Sequence, residues 1–322
     1  MDCRWRRSRT AAAGGRILAS LLTAALLLAG CGGQSDEQLD ADGGKPDALV
    51  SVHPVTYRSS FDDTDVKGLV AIPRGVESKG CVMWQFGFRS TKENTSLAWQ
   101  GIAALGLTTF SIDMREHGAR AKSKDSYEQV LNDPETFAKM VRGTVGDLRS
   151  AVDFLEEQPY CHKNIAYAGV SLGGAIGTIF AAKDKRVKAT VLVVTPGTWR
   201  DVMRAPDSPI LPGVKPDTAR FNEGVRVYSP FDPDRYVAQI APRPVLIISG
   251  TTDQTVLLSN ARKLQEAAKA PKTVYDFRGS HNPTLGPDAD DVANRIGSFL
   301  LHNIVQPEYG ITSRQNGTFF EQ

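Results

Sequence analysis

The run Ile165-Ala166-Tyr167-Ala168-Gly169-Val170-Ser171-Leu172-Gly173-Gly174 constrains this chain more than any other stretch. An apolar strand stops at a serine and passes at once into the small-residue segment 174–182, which reads as a buried helix. A turn that sharp pushes the Ser171 hydroxyl out of the chain and presses the residues two before and two after it against strand and helix. Only Gly169 and Gly173, lacking Cβ, fit there easily. The helix aims its free amides and positive dipole end at the serine, so an oxyanion forming beside the Leu172 N–H is stabilised. A Gly-rich turn in an unrelated α/β protein, with Ser171 merely capping the helix, would share the pentapeptide. The rest of the chain decides between the two.

Around this turn, apolar strands alternate with helical periods. Residues 50–57 and 66–72 predict an opening antiparallel pair. Residues 81–86 form a nearly continuous apolar run, as for a strand buried on both faces, and it breaks at Gly87-Phe88-Arg89-Ser90. A helix over 97–105 and a strand over 107–112 follow, then a long helix over 134–157 with apolar Phe137, Val141, Val145, Leu148, Val152 and Leu155, and with Pro134 in its first turn. Beyond the serine come strands at 189–195, 245–248 and 273–277 and helices at 260–269 and 290–304. This alternation implies α/β architecture with a mostly parallel central sheet and helices on both faces. Residues 198–243, proline-rich and less regular, read as a small lid-like insertion whose aromatics Trp199, Phe221, Tyr228, Phe231 and Tyr236 look exposed and would shape a modest pocket.

A serine hydroxyl needs a general base, usually a histidine oriented by a carboxylate. The strand over 245–248 runs into Ser249-Gly250-Thr251-Thr252-Asp253, and the strand over 273–277 runs into Arg278-Gly279-Ser280-His281. Both candidates therefore sit in loops at carboxyl ends of strands, the edge where open α/β sheets bind ligands. Competing carboxylates are Asp276 and the pair Asp232 and Asp234. His53, His117, His162 and His302 lack such a loop at the proper chain position. With no H-E-x-x-H, C-x-x-C or clustered histidine spacing, neither a metal nor another cofactor is expected. The segment 75–80 has P-loop spacing but runs into Cys81 rather than Lys, which argues against a nucleotide site.

The order Ser171, Asp253, His281 together with the elbow resembles the α/β-hydrolase superfamily, and Asp113-Met114-Arg115-Glu116-His117-Gly118 resembles its D-x-R-G-H-G segment. The stretch 147–155 is similar to the helix before the elbow in dienelactone-hydrolase-like and prolyl-oligopeptidase-like members. This resemblance implies an α/β-hydrolase fold over residues 49–305 and a serine hydrolase with Ser171 as nucleophile, His281 as base and Asp253 as its orienting acid. The backbone amides of Leu172 and Phe88 would form the oxyanion hole, with Asp113 and His117 bracing the loop beneath. Two departures stand out: Phe86-Gly87-Phe88 replaces the frequent His-Gly, and Glu116 stands where Gly is usual. A small-molecule ester is the favoured substrate because no large N-terminal access domain precedes the elbow. A short peptide, cleaved by an exopeptidase, is the enzymatic alternative, and a catalytically silent binding protein retaining the fold is the non-enzymatic one. The strands at 82–86 and 165–170 would be neighbours in such a fold, so Cys81 and Cys161 form either a disulfide or two buried free thiols.

Residues 1–30 read as a targeting segment: basic Arg4, Arg6, Arg7 and Arg9, then an apolar run over 17–29 too short to span a membrane comfortably. The ending Leu28-Ala29-Gly30-Cys31 resembles the lipobox of bacterial lipoproteins, which implies cleavage before Cys31, its lipidation, and an exported protein anchored to the cell envelope. Gly32 in place of the Asp that signals inner-membrane retention favours the outer membrane where the cell has one. An ordinary signal peptide or an uncleaved anchor is the alternative. Residues 31–48 read as a polar tether and 306–322 as a loose tail. The whole chain carries 38 basic and 36 acidic residues, +2. Without its first thirty residues, which hold five Arg and one Asp, 33 stand against 35. Neither balance, with no basic stripe interleaved with aromatics, fits a nucleic-acid partner.

Overall fold

A computed structural model describes residues 49–123 and 126–305. The targeting segment, Cys31, the tether and the tail lie outside the described residues. Eight strands form one sheet: β1 (Val50–Arg58), β2 (Asp65–Pro73), β3 (Cys81–Gln85), β4 (Thr108–Ile112), β5 (Ile165–Val170), β6 (Val187–Val193), β7 (Val245–Gly250) and β8 (Lys272–Phe277). Their spatial order is β1-β2-β4-β3-β5-β6-β7-β8. β1 and β2 form an antiparallel hairpin in register from Val50 opposite Pro73 to Arg58 opposite Asp65, and β2 is antiparallel to β4. From β4 to β8 every pairing is parallel.

Side-chain alternation along the central strands feeds two cores. Cys81 and Met83 of β3 and Ile165 and Tyr167 of β5 face the core beneath α3 (Pro134–Glu156) and α4 (Leu172–Lys183). Val82 and Trp84, with Ala166 and Ala168, face the core beneath α1 (Ser96–Ala103) and α9 (Ala289–Val305). The chain passes from β3 through α1 to β4, then back past β3 through α3 to β5, so successive crossovers lie on opposite faces and open a crevice at the carboxyl ends of β3 and β5. α3 is started by Asp133, whose side chain accepts from Thr136 N at 3.0 Å, with Pro134 at its first helical position.

The expected strand at 189–195 begins two residues earlier and ends at Val193, because Val194 turns into the left-handed region at φ 43°. A short helix, α2 (Ser126–Asn132), was not legible from periodicity. The insertion holds α5 (Trp199–Arg204), α6 (Ala219–Tyr228) and α7 (Asp234–Val237); α8 (Leu258–Ala267) follows β7. Contrary to the reading of the sequence, Trp199, Phe221, Tyr228 and Phe231 are buried, not exposed. The ring of Phe137 on α3 meets Trp199 and Tyr228 edge-on, with centroids 4.9 and 4.4 Å away. These rings fasten the insertion to the sheet-covering helix rather than lining an open pocket, because burying that much apolar area outweighs leaving it at a surface.

Candidate active site

Ser171 ends β5 at φ 54° and ψ −114°, a conformation costly for any residue with a Cβ and characteristic of functional turns. Its N–H donates to Val193 O at 2.8 Å and its own carbonyl accepts from Ala175 N at 2.9 Å, which pins the turn to β6 and to α4. The flanking glycines are required by contact. A Cβ on Gly169 would lie 2.6 Å from the carbonyl carbon of Gly173, and one on Gly173 would lie 2.6 Å from the carbonyl oxygens of Gln85 and Phe86. Strain recurs along this edge: Arg89 after β3, Glu116 after β4 and Val194 after β6 also take positive φ. The loops after four adjacent strands, β4, β3, β5 and β6, thus each carry a non-glycine residue at positive φ.

Asp253 follows β7, and its buried carboxylate is held from two sides. Oδ1 accepts from the backbone amides of Thr255 and Val256, both at 2.8 Å, while Oδ2 lies 2.7 Å from His281 Nδ1. His281 Nε2 lies 2.9 Å from Ser171 Oγ. An ionised carboxylate only accepts, so Nδ1 carries the hydrogen and the neutral ring presents Nε2 as acceptor to the serine hydroxyl. The two loops are tied together: Thr251 N donates to Phe277 O and Thr252 N to Gly279 O, each at 3.0 Å. Asp253 has 1% of its side chain exposed against 30% for His281, so the carboxylate is desolvated while the imidazole is partly open to solvent.

Two of the rival carboxylates are engaged elsewhere. Asp276 Oδ1 accepts from Gln265 Nε2 at 3.0 Å and its other oxygen pairs with Arg262; Asp232 accepts from Trp199 N at 2.8 Å. Burial pushes the Asp232 carboxyl up to about 6, against the pull of that amide. Leu172 opens α4, where first-turn amides have no intrahelical acceptor. Phe88 lies just past Gly87, whose added Cβ would sit 3.3 Å from Ser171 Cβ, so the loop after β3 runs against the serine.

Asp113, buried at the end of β4, accepts from Lys92 N at 3.0 Å, Lys92 Nζ at 2.7 Å and Ala119 N at 3.0 Å, and so fastens the loop after β3 to the loop after β4. His117 is buried beside Phe86 and Phe88, and burial pulls its imidazole below the ordinary value. Asp147 of α3 gathers Arg115, Arg120 and the Ser59 hydroxyl on one buried carboxylate, which satisfies the charge. Cys81 and Cys161 are joined by a disulfide, Cα atoms 4.9 Å apart. Among the described residues no group of three or more His, Cys, Asp or Glu side chains converges as a metal site.

Two supporting residues escaped the sequence analysis. Tyr167, fully buried in β5, donates its hydroxyl hydrogen to Gly173 O at 2.5 Å and holds the first turn of α4 from below. A tyrosine inside an otherwise apolar strand is a readable signal, since its buried hydroxyl needs an acceptor. Asn260 accepts from Gly197 N at 3.0 Å and Thr198 N at 2.8 Å, fixing the chain as it leaves β6. Nothing in its sequence neighbourhood marks it.

The fold and the serine turn define an α/β hydrolase. The structure aligns with the α/β hydrolase GrgF of Penicillium sp. sh18 at TM-score 0.62 and 18% identity, covering 79% of this chain and 99% of that one. It also aligns with the acylaminoacyl peptidase of Pyrococcus horikoshii at TM-score 0.60 and 17% identity, covering 80% of this chain and 43% of that one. In sequence it is 25% identical over 210 residues to the esterase YjfP of Escherichia coli K12, 63% of this chain and 81% of that protein. The chain belongs to the dienelactone hydrolase family, whose sequence profile matches residues 66–279, and it is a serine hydrolase. The matched stretch contains Ser171 and Asp253 and stops just short of His281.

Proposed function

We propose that the protein hydrolyses carboxylic esters of small molecules by acyl transfer through Ser171, His281 and Asp253. The observation that carries this reading is the continuous hydrogen-bonded path from Ser171 Oγ to His281 Nε2 at 2.9 Å and from Nδ1 to Asp253 Oδ2 at 2.7 Å. Ser171 Oγ attacks the ester carbonyl as His281 takes its proton. The tetrahedral oxyanion is met by the amides of Leu172 and Phe88, and His281 returns the proton to the departing alkoxide. Water then repeats the sequence on the acyl-enzyme, releasing acid and free serine. Asp253 keeps the imidazole in the required tautomer and stabilises the imidazolium formed in each half. An ester rather than an amide is supported by the likeness to the esterase YjfP.

The reading extends to location. The basic and apolar segment over 1–30 and Cys31 fit a lipoprotein signal, so the enzyme works exported and held at a membrane by acyl chains on Cys31.

The test is hydrolysis of a short-chain nitrophenyl ester and of an aminoacyl nitroanilide by the full chain in detergent, beside Ser171→Ala. Ester turnover that disappears in the variant is expected; preference for the anilide would make the enzyme an exopeptidase. No turnover, together with no fluorophosphonate adduct on Ser171, would leave a binding protein. Incorporation of a fatty-acid analogue that vanishes in Cys31→Ser checks the anchor.

A further inference from the structure

The loop that carries Phe88 is held by side chains: Phe86 sits in the core, Phe88 packs against it, and the Arg89 guanidinium lies 5.2 Å from the centre of the Tyr127 ring. β3 leaves the ladder at Gln85, opposite Gly169, so Gly87 and Phe88 lie beyond the sheet. At its far end the loop is fastened by Asp113 to Lys92, and by Trp99 Nε1, which donates to Lys92 O at 2.9 Å. Between these points the loop passes Ser171 and enters the left-handed region at Arg89, φ 63°. Something must set the height of the Phe88 amide over the serine.

The neighbour in position to do so is His117. Its ring lies 5.9 Å from that of Phe88 at an interplanar angle of 29°, and 6.4 Å from that of Phe86 at 53°. The ring is itself anchored. Nδ1 lies 3.0 Å from Arg115 O, and a carbonyl only accepts, so Nδ1 carries the hydrogen and the ring cannot turn freely. Backbone His117 N donates to Met114 O at 3.1 Å. Arg115 is bound in turn to Thr144 and Asp147 of the long helix α3, the backbone amide to Thr144 Oγ1 at 3.1 Å and the guanidinium to Asp147 at 2.8 and 2.9 Å. A rigid path therefore runs from α3 through Arg115 and His117 to the two phenylalanines flanking Gly87. Nε2 of His117 has no hydrogen-bond partner among the described residues, so the ring's face and its Nδ1–H are what it contributes.

We infer that His117 is a positioning residue for the oxyanion hole: wedged against Phe86 and Phe88 and anchored on Arg115 O, its ring holds the Phe88 amide at the height the tetrahedral oxyanion of Ser171 requires. The inference rests on the acyl-transfer reading of Ser171. It also accounts for the departure at residue 86, where a second aromatic ring packs on the same histidine.

The experiment compares wild type, His117→Ala, His117→Phe and His117→Asn, full chain, by steady-state ester hydrolysis, thermal unfolding and inhibition by a trifluoromethyl ketone, whose adduct with Ser171 carries an oxyanion. Losing a whole oxyanion donor costs roughly 10²–10³ in kcat; displacing one donor while the other remains should cost about tenfold to a hundredfold. His117→Ala is therefore expected to lower kcat by that factor with KM within about twofold, and to weaken the ketone in parallel. His117→Phe, keeping the stacked face, should return kcat to within about threefold of wild type, whereas His117→Asn, keeping a donor to Arg115 O but no ring, should follow His117→Ala. Wild-type kcat in His117→Ala, a rise in KM at constant kcat, or His117→Phe as slow as His117→Ala would each overturn the inference. If His117→Ala does not fold, Phe88→Leu removes the other half of the stack and must show the same fall in kcat at unchanged KM. A wild-type enzyme with no Ser171-dependent turnover would remove the acyl-transfer reading itself, and this inference with it, before any His117 variant is compared.

Discussion

Asp253 Oδ2 lies 2.7 Å from His281 Nδ1 while Oδ1 of the same carboxylate is occupied by the amides of Thr255 and Val256. The orientation of this carboxylate is thus set by its own loop, independently of the histidine. Asp253→Asn keeps the shape and keeps an oxygen for the two amides, which directs the new amide N–H2 toward Nδ1. The ring must then carry its hydrogen on Nε2, where it cannot accept from Ser171. A fall in kcat of about 10⁴, the size seen for the equivalent change in a serine protease triad, is expected, with little change in thermal stability. A loss of less than about tenfold would mean that Asp253 does not orient the base.

Gly173 offers a test of the turn itself. In Gly173→Ala the new Cβ would meet the carbonyl oxygens of Gln85 and Phe86 at 2.6 Å, and backbone atoms cannot rotate away as a side chain would. Forcing β3 and α4 apart should cost about 1–3 kcal/mol of stability. It should also depress kcat, because the strand displaced is the one that leads to Phe88. Chemical denaturation and ester kinetics on the same preparation check both effects.

The sheet edge was legible in the sequence because its residues announce themselves through geometry. Gly169, Ser171 and Gly173 mark a sharp strand-to-helix turn, and Asp253 and His281 each follow a strand in the order that turn leads one to expect. The insertion was misread because its local pattern carries no information about Phe137 of α3, 62 residues before Trp199 and 91 before Tyr228, against which both rings pack. An aromatic in a proline-rich loop looks exposed until its partner is known. His117 was legible as structural, but its two phenylalanine neighbours come from a loop about thirty residues before it, and no periodicity joins them. Val194, a β-branched residue at φ 43°, could not have been read at all, since a β-branched residue is among the least expected in that region and its amide's partner, Ile248 O at 2.8 Å, lies on another strand.

The Cys81–Cys161 bond joins the start of β3 to the turn before β5 across a separation of 80 residues, and both cysteines are fully buried. Closing a loop of that length removes unfolded-state entropy worth about 4.5 kcal/mol on the chain-entropy account. Paired Cys81→Ser and Cys161→Ser substitutions should lower stability by roughly 2–4 kcal/mol without altering kcat in the protein that remains folded. Burial adds a kinetic expectation: with a reductant and an alkylating agent, peptide mass mapping should find Cys81 and Cys161 unmodified in native buffer and both alkylated in guanidinium. Alkylation of both cysteines in guanidinium without reductant would show that no bond had formed.

Asp232 predicts a pH dependence with a definite sign. Desolvation raises its carboxyl to about 6 in the folded protein, above the ordinary value of 3.8, despite the amide of Trp199 and the guanidinium of Arg235 at 3.8 Å. Between those two values the folded state holds a proton that the unfolded state has released, so the contribution of this group to stability is fully present below about 3.8 and is lost as pH rises through about 6. Asp232→Asn mimics the protonated form and can still accept from Trp199 N. The variant should therefore match wild type near pH 4 and exceed it at pH 7, with the difference opening between these values. Unfolding by urea across that range, wild type beside variant, measures it. A constant difference at every pH would show that Asp232 titrates alike in the folded and unfolded chains, and that the clamp it forms on Trp199 works equally well with the carboxylate charged.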